Sequence, residues 1–355
     1  MHRPAALKTF GVLLCCLGLS FLACVARAAA QTGHPPEANT QANASLVTQA
    51  RGLIEEGKLD AAIKVLLAAQ IAPGDVQVNY LLGLAYYWKS DYARAIQYLS
   101  SAVPSASGES KEYRQGVRIL GLSHYMLRHN AEAIPYLEQL NRWTPENIEI
   151  TYALGVSYVQ IREADKARAT FARMFKVQPG SASAYLINAQ MMMRQQMEEL
   201  AEKELQKALE LDPQLPQANF LLGELAIYHA QIDRGVELLQ KEIAVNPAFG
   251  MAYYMLGEAY TRQLKWDEAI PPLQKSIWLN PYFSGPYIVL GKVYLKKADL
   301  PNAENMLRRA IQMDPNNYSG HHLLAQVLQQ ANRADEAKKE FQLAEQLRAN
   351  AGENR

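Results

Sequence analysis

Prolines recur at positions 145, 179, 213, 247, 281 and 315, every 34 residues, and four of the six follow Asp or Asn. Ten residues after each proline stands a small residue: Gly155, Ala189, Gly223, Gly257, Gly291 or Ala325. Leu82-Gly83 and Leu120-Gly121 carry the series backward. Twelve residues further on comes a second small residue, at Ala95, Ala133, Ala167, Ala201, Gly235, Ala269, Ala303 and Ala337, with Ala62 opening the set. That register makes nine units. Small side chains let helix backbones approach closely, and a proline marks a turn because it has no N–H to donate to a helix. Each unit therefore reads as two short antiparallel helices, without a closed core alone and with one once stacked on a neighbour.

The clearest unit runs from Met251 to Pro281. Its first helix would carry Tyr254, Gly257 and Glu258 along one side; its second would begin near Trp266 and end before Pro281. The pattern Leu256-Gly257 to Tyr260, repeated in Leu290-Gly291 to Tyr294, with the later Ala269 and Ala303 and with Pro281 and Pro315, resembles the tetratricopeptide repeat. The likeness covers about residues 44–348. It implies an all-α fold, a right-handed superhelical solenoid of about nine helix-turn-helix units. Gly235 departs from the family's later alanine, Ala189 and Ala325 from its glycine, and unit one keeps little beyond Ala62. Between Gly83 and Gly121 the spacing is 38 rather than 34, and the segment Pro104 to Lys111 is expected to hold the extra loop. Pro135, Pro271 and Pro272 fall early in second helices, which are predicted to start late or bend there.

Outside the array, residues 1–30 have the parts of a secretory signal peptide: His2, Arg3 and Lys8, an uncharged apolar run from Phe10 to Val25, and a small-residue exit at Ala26 to Ala30. Cleavage is expected after Ala28 or Ala30. The alternatives are an uncleaved anchor over Thr9 to Ala26 and a lipid-modified Cys24. Residues 31–43 are polar, contain Pro35-Pro36 and read as a flexible leader; residues 349–355 read as a disordered tail. This places the protein outside the cytoplasm, in a bacterial periplasm or cell envelope if the leader is of bacterial style, or on a membrane if it stays attached. Without Arg3, Lys8 and Arg27 the 36 basic residues fall to 33, against 35 acidic. Such a balance does not point to nucleic acid, nor to direct membrane binding after cleavage. All three cysteines lie before residue 30, so the remainder has no disulfide and no thiol nucleophile.

Catalytic constellations are missing from the sequence. The histidines beyond the leader make no His-Glu-x-x-His or comparable zinc spacing, no glycine-rich phosphate loop occurs, and Gly-x-Ser-x-Gly is absent. No cofactor, metal or enzymatic activity is expected. Met191, Met192, Met193 and Met197 are read as core filling beside Ala189, with an adaptable binding surface as the alternative.

What the resemblance adds is a groove. In the family, first-helix residues three before and one after the packing glycine face inward. Here that gives Tyr80, Arg118, Tyr152, Leu186, Phe220, Tyr254, Ile288 and His322 in one row. The other row is Leu84, Leu122, Val156, Gln190, Glu224, Glu258, Lys292 and Gln326. Tyr80, Leu84, Arg118, Tyr152, Phe220, Glu224, Tyr254 and Glu258 are the expected binding residues for a protein or peptide partner, aromatics supplying contact area at low entropic cost; for Tyr80, Tyr152, Phe220 and Tyr254 the alternative is packing between adjacent first helices. The lysine and asparagine clamp that some members use for a terminal carboxylate is not expected, and the acidic pair Glu224 and Glu258 favours a neutral or basic segment. The resulting expectation is an exported scaffold or assembly factor, with an accessory subunit of an envelope polysaccharide or secretion complex, or a membrane-tethered organiser, as alternatives.

Overall fold

The computed structural model describes residues 37–68, 75–103 and 110–353. Among these the chain forms eighteen helices in nine hairpins and no strand. The hairpins are α1 (Glu37–Glu55) with α2 (Leu59–Ala68), α3 (Val76–Trp88) with α4 (Tyr92–Ala102), and α5 (Lys111–Met126) with α6 (Asn130–Trp143). Then come α7 (Ile148–Gln160) with α8 (Ala164–Met174), α9 (Ala182–Arg194) with α10 (Glu198–Leu211), and α11 (Ala218–Tyr228) with α12 (Ile232–Val245). The last three are α13 (Gly250–Arg262) with α14 (Trp266–Leu279), α15 (Ser284–Lys296) with α16 (Leu300–Met313), and α17 (Tyr318–Gln330) with α18 (Ala334–Glu353). Each helix packs on the one before and the one after it, which makes a solenoid of stacked hairpins.

Within a hairpin the two helices meet where the small residue of the first faces a large residue sixteen positions later. Gly83 lies against Leu99, Gly155 against Phe171, Gly223 against Leu239, Gly257 against Leu273 and Gly291 against Leu307. Each of these large side chains is 0% exposed. A Cβ on Gly155 would sit 2.5 Å from the Phe171 ring, so that backbone comes as near as a helix can. The second small residues are equally enclosed: Ala62, Ala95, Ala133, Ala167, Ala201, Ala269 and Ala303 are all 0% exposed. Gly235 stands where the others have alanine because a methyl there would meet Ile227 at 2.5 Å. Unit one, nearly featureless in sequence, uses the same device: Ala50 is 0% and Leu66 2% exposed. Met191 and Met192 are buried, and Met193 and Met197 pack partly buried against the same strip of core.

Five of the six period prolines stand directly after the C-caps Thr144, Asp212, Asn246, Asn280 and Asp314, where a helix can no longer be continued, while Pro179 follows the C-cap Phe175 by four residues. Some first helices then restart from side-chain caps: Asn147 accepts from the Ile150 N–H and Ser181 from the Ala184 N–H, whereas Phe249 and Phe283 before α13 and α15 supply none. At α11 the left-handed Gln217 offers no such cap. Glu242 of α12, itself 0% exposed, accepts from the Gln217 and Phe220 N–H groups instead.

Every hairpin turns through one left-handed residue, and only Gly57 is a glycine; Ser90, Arg128, Arg162, Gln196, Ala230, Leu264, Ala298 and Asn332 hold φ between 59° and 64°. An L side chain there costs about 1–2 kcal/mol, part of which glycine gives back through its freer unfolded chain. Leu264, 67% exposed, makes little use of its side chain. Leu264→Gly and Ala298→Gly are each expected to raise stability by about 0.5–1 kcal/mol, read as a higher urea midpoint at unchanged m-value.

Several expectations need correcting. Helix α1 reaches back to Glu37, into the supposed leader 31–43, since beyond Pro35-Pro36 nothing in Glu37-Ala-Asn-Thr-Gln-Ala-Asn43 breaks a helix. Helix α18 runs to Glu353 and takes up most of the supposed tail, through Ala349 and Ala351. Second helices with internal prolines do not start late: α6 and α14 begin in register with α8, α12 and α16. Pro135 and Pro271 lie on exposed positions, where water can serve the carbonyl that loses its partner. Residue 111 is helical, for α5 has 16 residues where α3 and α7 have 13, so much of the 34-to-38 expansion is an extra turn of helix. The signal segment 1–30 and positions 104–109 lie outside the described residues.

Candidate partner-binding groove

The members of the two expected rows differ in what they have left to offer. Tyr80 and Leu84 are 8% and 9% exposed and form the floor of a recess of about 370 Å³ between α1, α3 and α5. Tyr80 donates its hydroxyl to Gln115 Oε1 at 2.7 Å, and burial, helped by Glu112, pushes its pKa up to about 12. Leu122 and Val156 are buried between helices. Arg118 is exposed and pairs with Glu149 at 3.0 Å.

Aromatic members of the inward row pack on other rings, within a hairpin at Tyr152 and between hairpins at Phe220 and Tyr254. Tyr152 lies 6.3 Å from the Phe171 ring, Phe220 meets Phe249 edge-on at 4.9 Å, and Tyr254 meets Phe283 edge-on at 5.1 Å. Phe249 and Phe283 each come two residues after a period proline, so these pairs join one hairpin to the next. Such contacts stabilise the stack by about 0.5–1.5 kcal/mol beyond area burial. Tyr254 is pushed up to about 12 by burial first and then by Glu258. Glu224 is reachable by solvent, yet its concave surroundings desolvate the carboxyl and raise its pKa. Glu258 pairs with Arg262 at 2.8 Å.

At the C-terminal end the rows open into a cavity of about 700 Å³ between α13, α15, α17 and α18. Glu258, Ile288, Lys292 and His322 come from the expected rows, and His322 stacks edge-on against Phe341 at 5.3 Å. Phe341, Glu345 and Arg348 of α18 were not foreseen as wall residues. In the last described hairpin α18 packs on α17 and supplies one wall of this cavity.

An ion cluster lies at the α17–α18 turn. Arg333 reaches both carboxylate oxygens of Glu304 on α16 at 2.8 Å and pairs with Glu336 at 2.6 Å. Burial alone would raise the Glu304 pKa; hydrogen bonds from Arg308 and Arg333 outweigh it and hold the carboxyl below its ordinary 4.5. A depressed folded pKa gives stabilisation that is present above the unfolded value and lost as pH falls through the folded one. Acidification below 4.5 is therefore expected to increase amide exchange in α18, normalised for intrinsic rates, and Glu304→Gln to flatten that dependence.

A second polar cluster lies in the core of the stack. Arg168 on α8 pairs with Glu204 on α10 at 3.0 Å and lies over the Tyr185 ring at 4.0 Å. Asn188 on α9 donates to Glu204 Oε2 at 2.7 Å. The Arg168 guanidinium, the Glu204 carboxylate and the Asn188 amide N–H hold one another, which suits a joint between hairpins, while Asn188 Oδ1 is buried without a partner. Among the described residues no cluster of three or more His, Cys, Asp or Glu side chains suits a metal ion.

Comparison with known proteins supplies the context. Family models described as tetratricopeptide repeat match residues 127–190 and 294–351, and 47–110 and 220–281. No curated protein matches the chain. Among solved structures, a crystal structure of MamA is 22% identical with a TM-score of 0.43, covering 46% of this chain and 96% of that one. MamA from residue 41 onward, of Desulfovibrio magneticus RS-1, is 20% identical with a TM-score of 0.45, covering 48% of this chain and 96% of that one. The APC/C hetero-tetramer Cut9–Hcn1 gives 18% identity and a TM-score of 0.43, over 80% of this chain and 55% of that one.

Proposed function

Since this chain belongs to the tetratricopeptide-repeat family, we propose that it is a non-enzymatic scaffold that holds protein partners on the face lined by its first helices. The observation that carries this reading is the pair of recesses at the two ends of that face, of about 370 Å³ and 700 Å³, whose walls include members of the periodic inward rows. Pockets of this size accept side-chain anchors. A stack that gains its stability from neighbour contacts leaves that long face available, as repeat arrays do.

Charge reversal tests the reading. Ile288→Asp with Lys292→Glu alters the C-terminal recess, whereas Lys241→Glu alters the exposed side of α12. Co-purification of the full chain from its own cells is expected to lose its partners in the first variant and keep them in the second. Equal retention in both would overturn the proposal.

We further propose that the protein works outside the cytoplasm, in a bacterial envelope. Support comes from the basic start, apolar run and small-residue exit of residues 1–30. No described helix is long and apolar enough to cross a membrane. N-terminal sequencing of the exported protein is expected to begin at Ala29 or Gln31; a start at residue 1 or 2 would contradict cleavage and favour an anchor.

A further inference from the structure

Resting on the scaffold reading, we propose that the recess between α3, α5 and the α6–α7 turn docks an acidic peptide segment that carries one large apolar side chain. The recess holds about 520 Å³. Lys111, Arg114 and Arg118 line it, and among the described residues no carboxylate does. Its floor is aliphatic: Ile119, Leu140 and Ile150 are 3%, 6% and 1% exposed. Trp88, 61% exposed, stands at the rim.

The site is built rather than accidental. Lys111 lies on the extra turn that α5 alone possesses among the first helices flanking it, a product of the 34-to-38 expansion. Arg114 is held 5.3 Å over the Trp143 ring, and Trp143 is braced edge-on by Tyr113 at 6.0 Å. Arg118 is paired with the carboxylate of exposed Glu149, a pair weak enough in water to be exchanged for a ligand's own acid. Cations gathered in a concavity with low-dielectric walls focus a positive field and repel one another until an anion arrives.

The polar groups of the walls argue for a peptide over a sugar. Gln115 Oε1 accepts from the Tyr80 hydroxyl, Thr144 donates to the Leu140 carbonyl, and Asn147 Oδ1 caps α7. With these two amide oxygens taken, the hydroxyls of a polysaccharide have few acceptors to donate to, while the aliphatic floor rewards one apolar anchor. Carboxylates on either side of that anchor then meet Lys111, Arg114 and Arg118. This reverses, for the N-terminal half of the groove, the preference for neutral or basic segments drawn from Glu224 and Glu258.

The test uses fluorescence anisotropy of the full chain with short labelled peptides: a tryptophan flanked by aspartates and glutamates, the same with lysines, and the acidic peptide with alanine in place of tryptophan. The acidic tryptophan peptide is expected to bind best, and to weaken as salt rises from about 50 to about 300 mM. Lys111→Gln with Arg114→Gln is expected to cost about tenfold or more in affinity, with helix content by circular dichroism confirming that the variant folds. Trp88→Ala, at an exposed rim position, should weaken binding without touching the stack. Equal binding of the lysine peptide, or unchanged affinity in the double variant, would overturn the proposal. So would polygalacturonate binding there while the acidic peptide does not, which would assign the recess to an anionic polysaccharide. Partners still lost through Ile288→Asp with Lys292→Glu would then leave the scaffold reading intact while this one falls.

Discussion

Phe171→Ala is expected to lower the unfolding free energy by about 3–5 kcal/mol, measured by urea denaturation. The ring is 0% exposed and fills the space that the missing Gly155 side chain leaves. Neighbouring helices cannot close on the cavity without dragging their own hairpins, because each is held on both sides. Tyr152 would lose its ring partner as well. Phe341 is the equivalent residue in the last described hairpin and is only half-buried. Phe341→Ala should therefore cost clearly less. Equal costs at the two positions would contradict a stack in which interior units are held from both sides.

Glu204→Ala is expected to be comparably severe, about 3–5 kcal/mol. Alanine leaves the Arg168 guanidinium, whose side chain is 13% exposed, without its interior carboxylate, and leaves Asn188 facing an empty space. Replacing both ions by apolar residues of similar size, as in Arg168→Met with Glu204→Leu, should recover most of the loss, since neither charge is then stranded. The pH dependence has a definite sign. Burial raises the Glu204 pKa, and the hydrogen bonds from Asn188 and Arg168 with the Arg168 charge only partly offset it. A raised folded pKa means that the group's contribution is full below the ordinary glutamate value and declines as pH rises through the folded one. Glu204→Gln should remove that decline, the opposite of what Glu304→Gln does at the C-terminal turn.

The hairpin register was legible because close approach of two helix backbones tolerates only glycine or alanine, and the prolines date each restart. Ala50 with Leu66 could have been added by the same sixteen-residue offset. The turns were not legible: eight of the nine left-handed positions carry side chains that give no glycine signal. In the groove, position alone could not separate a side chain that faces a partner from one that faces the next hairpin. Phe249 and Phe283, 34 residues apart, were the available clue that Phe220 and Tyr254 have internal partners. Lys111 was read as loop, and its place on an added helical turn emerges only once that helix is seen to start early.

Site-specific photocrosslinking tests the central claim most directly. A photoreactive residue placed in turn at Glu224, Glu258 and Lys292, spaced by 34, and at Lys241 and Arg309 on second helices, samples both sides of the stack. Partner crosslinks are expected to recur along the first set and to be absent from the second. Crosslinks confined to Lys241 and Arg309, or scattered without the 34-residue recurrence, would show that the first-helix face is not what the protein uses.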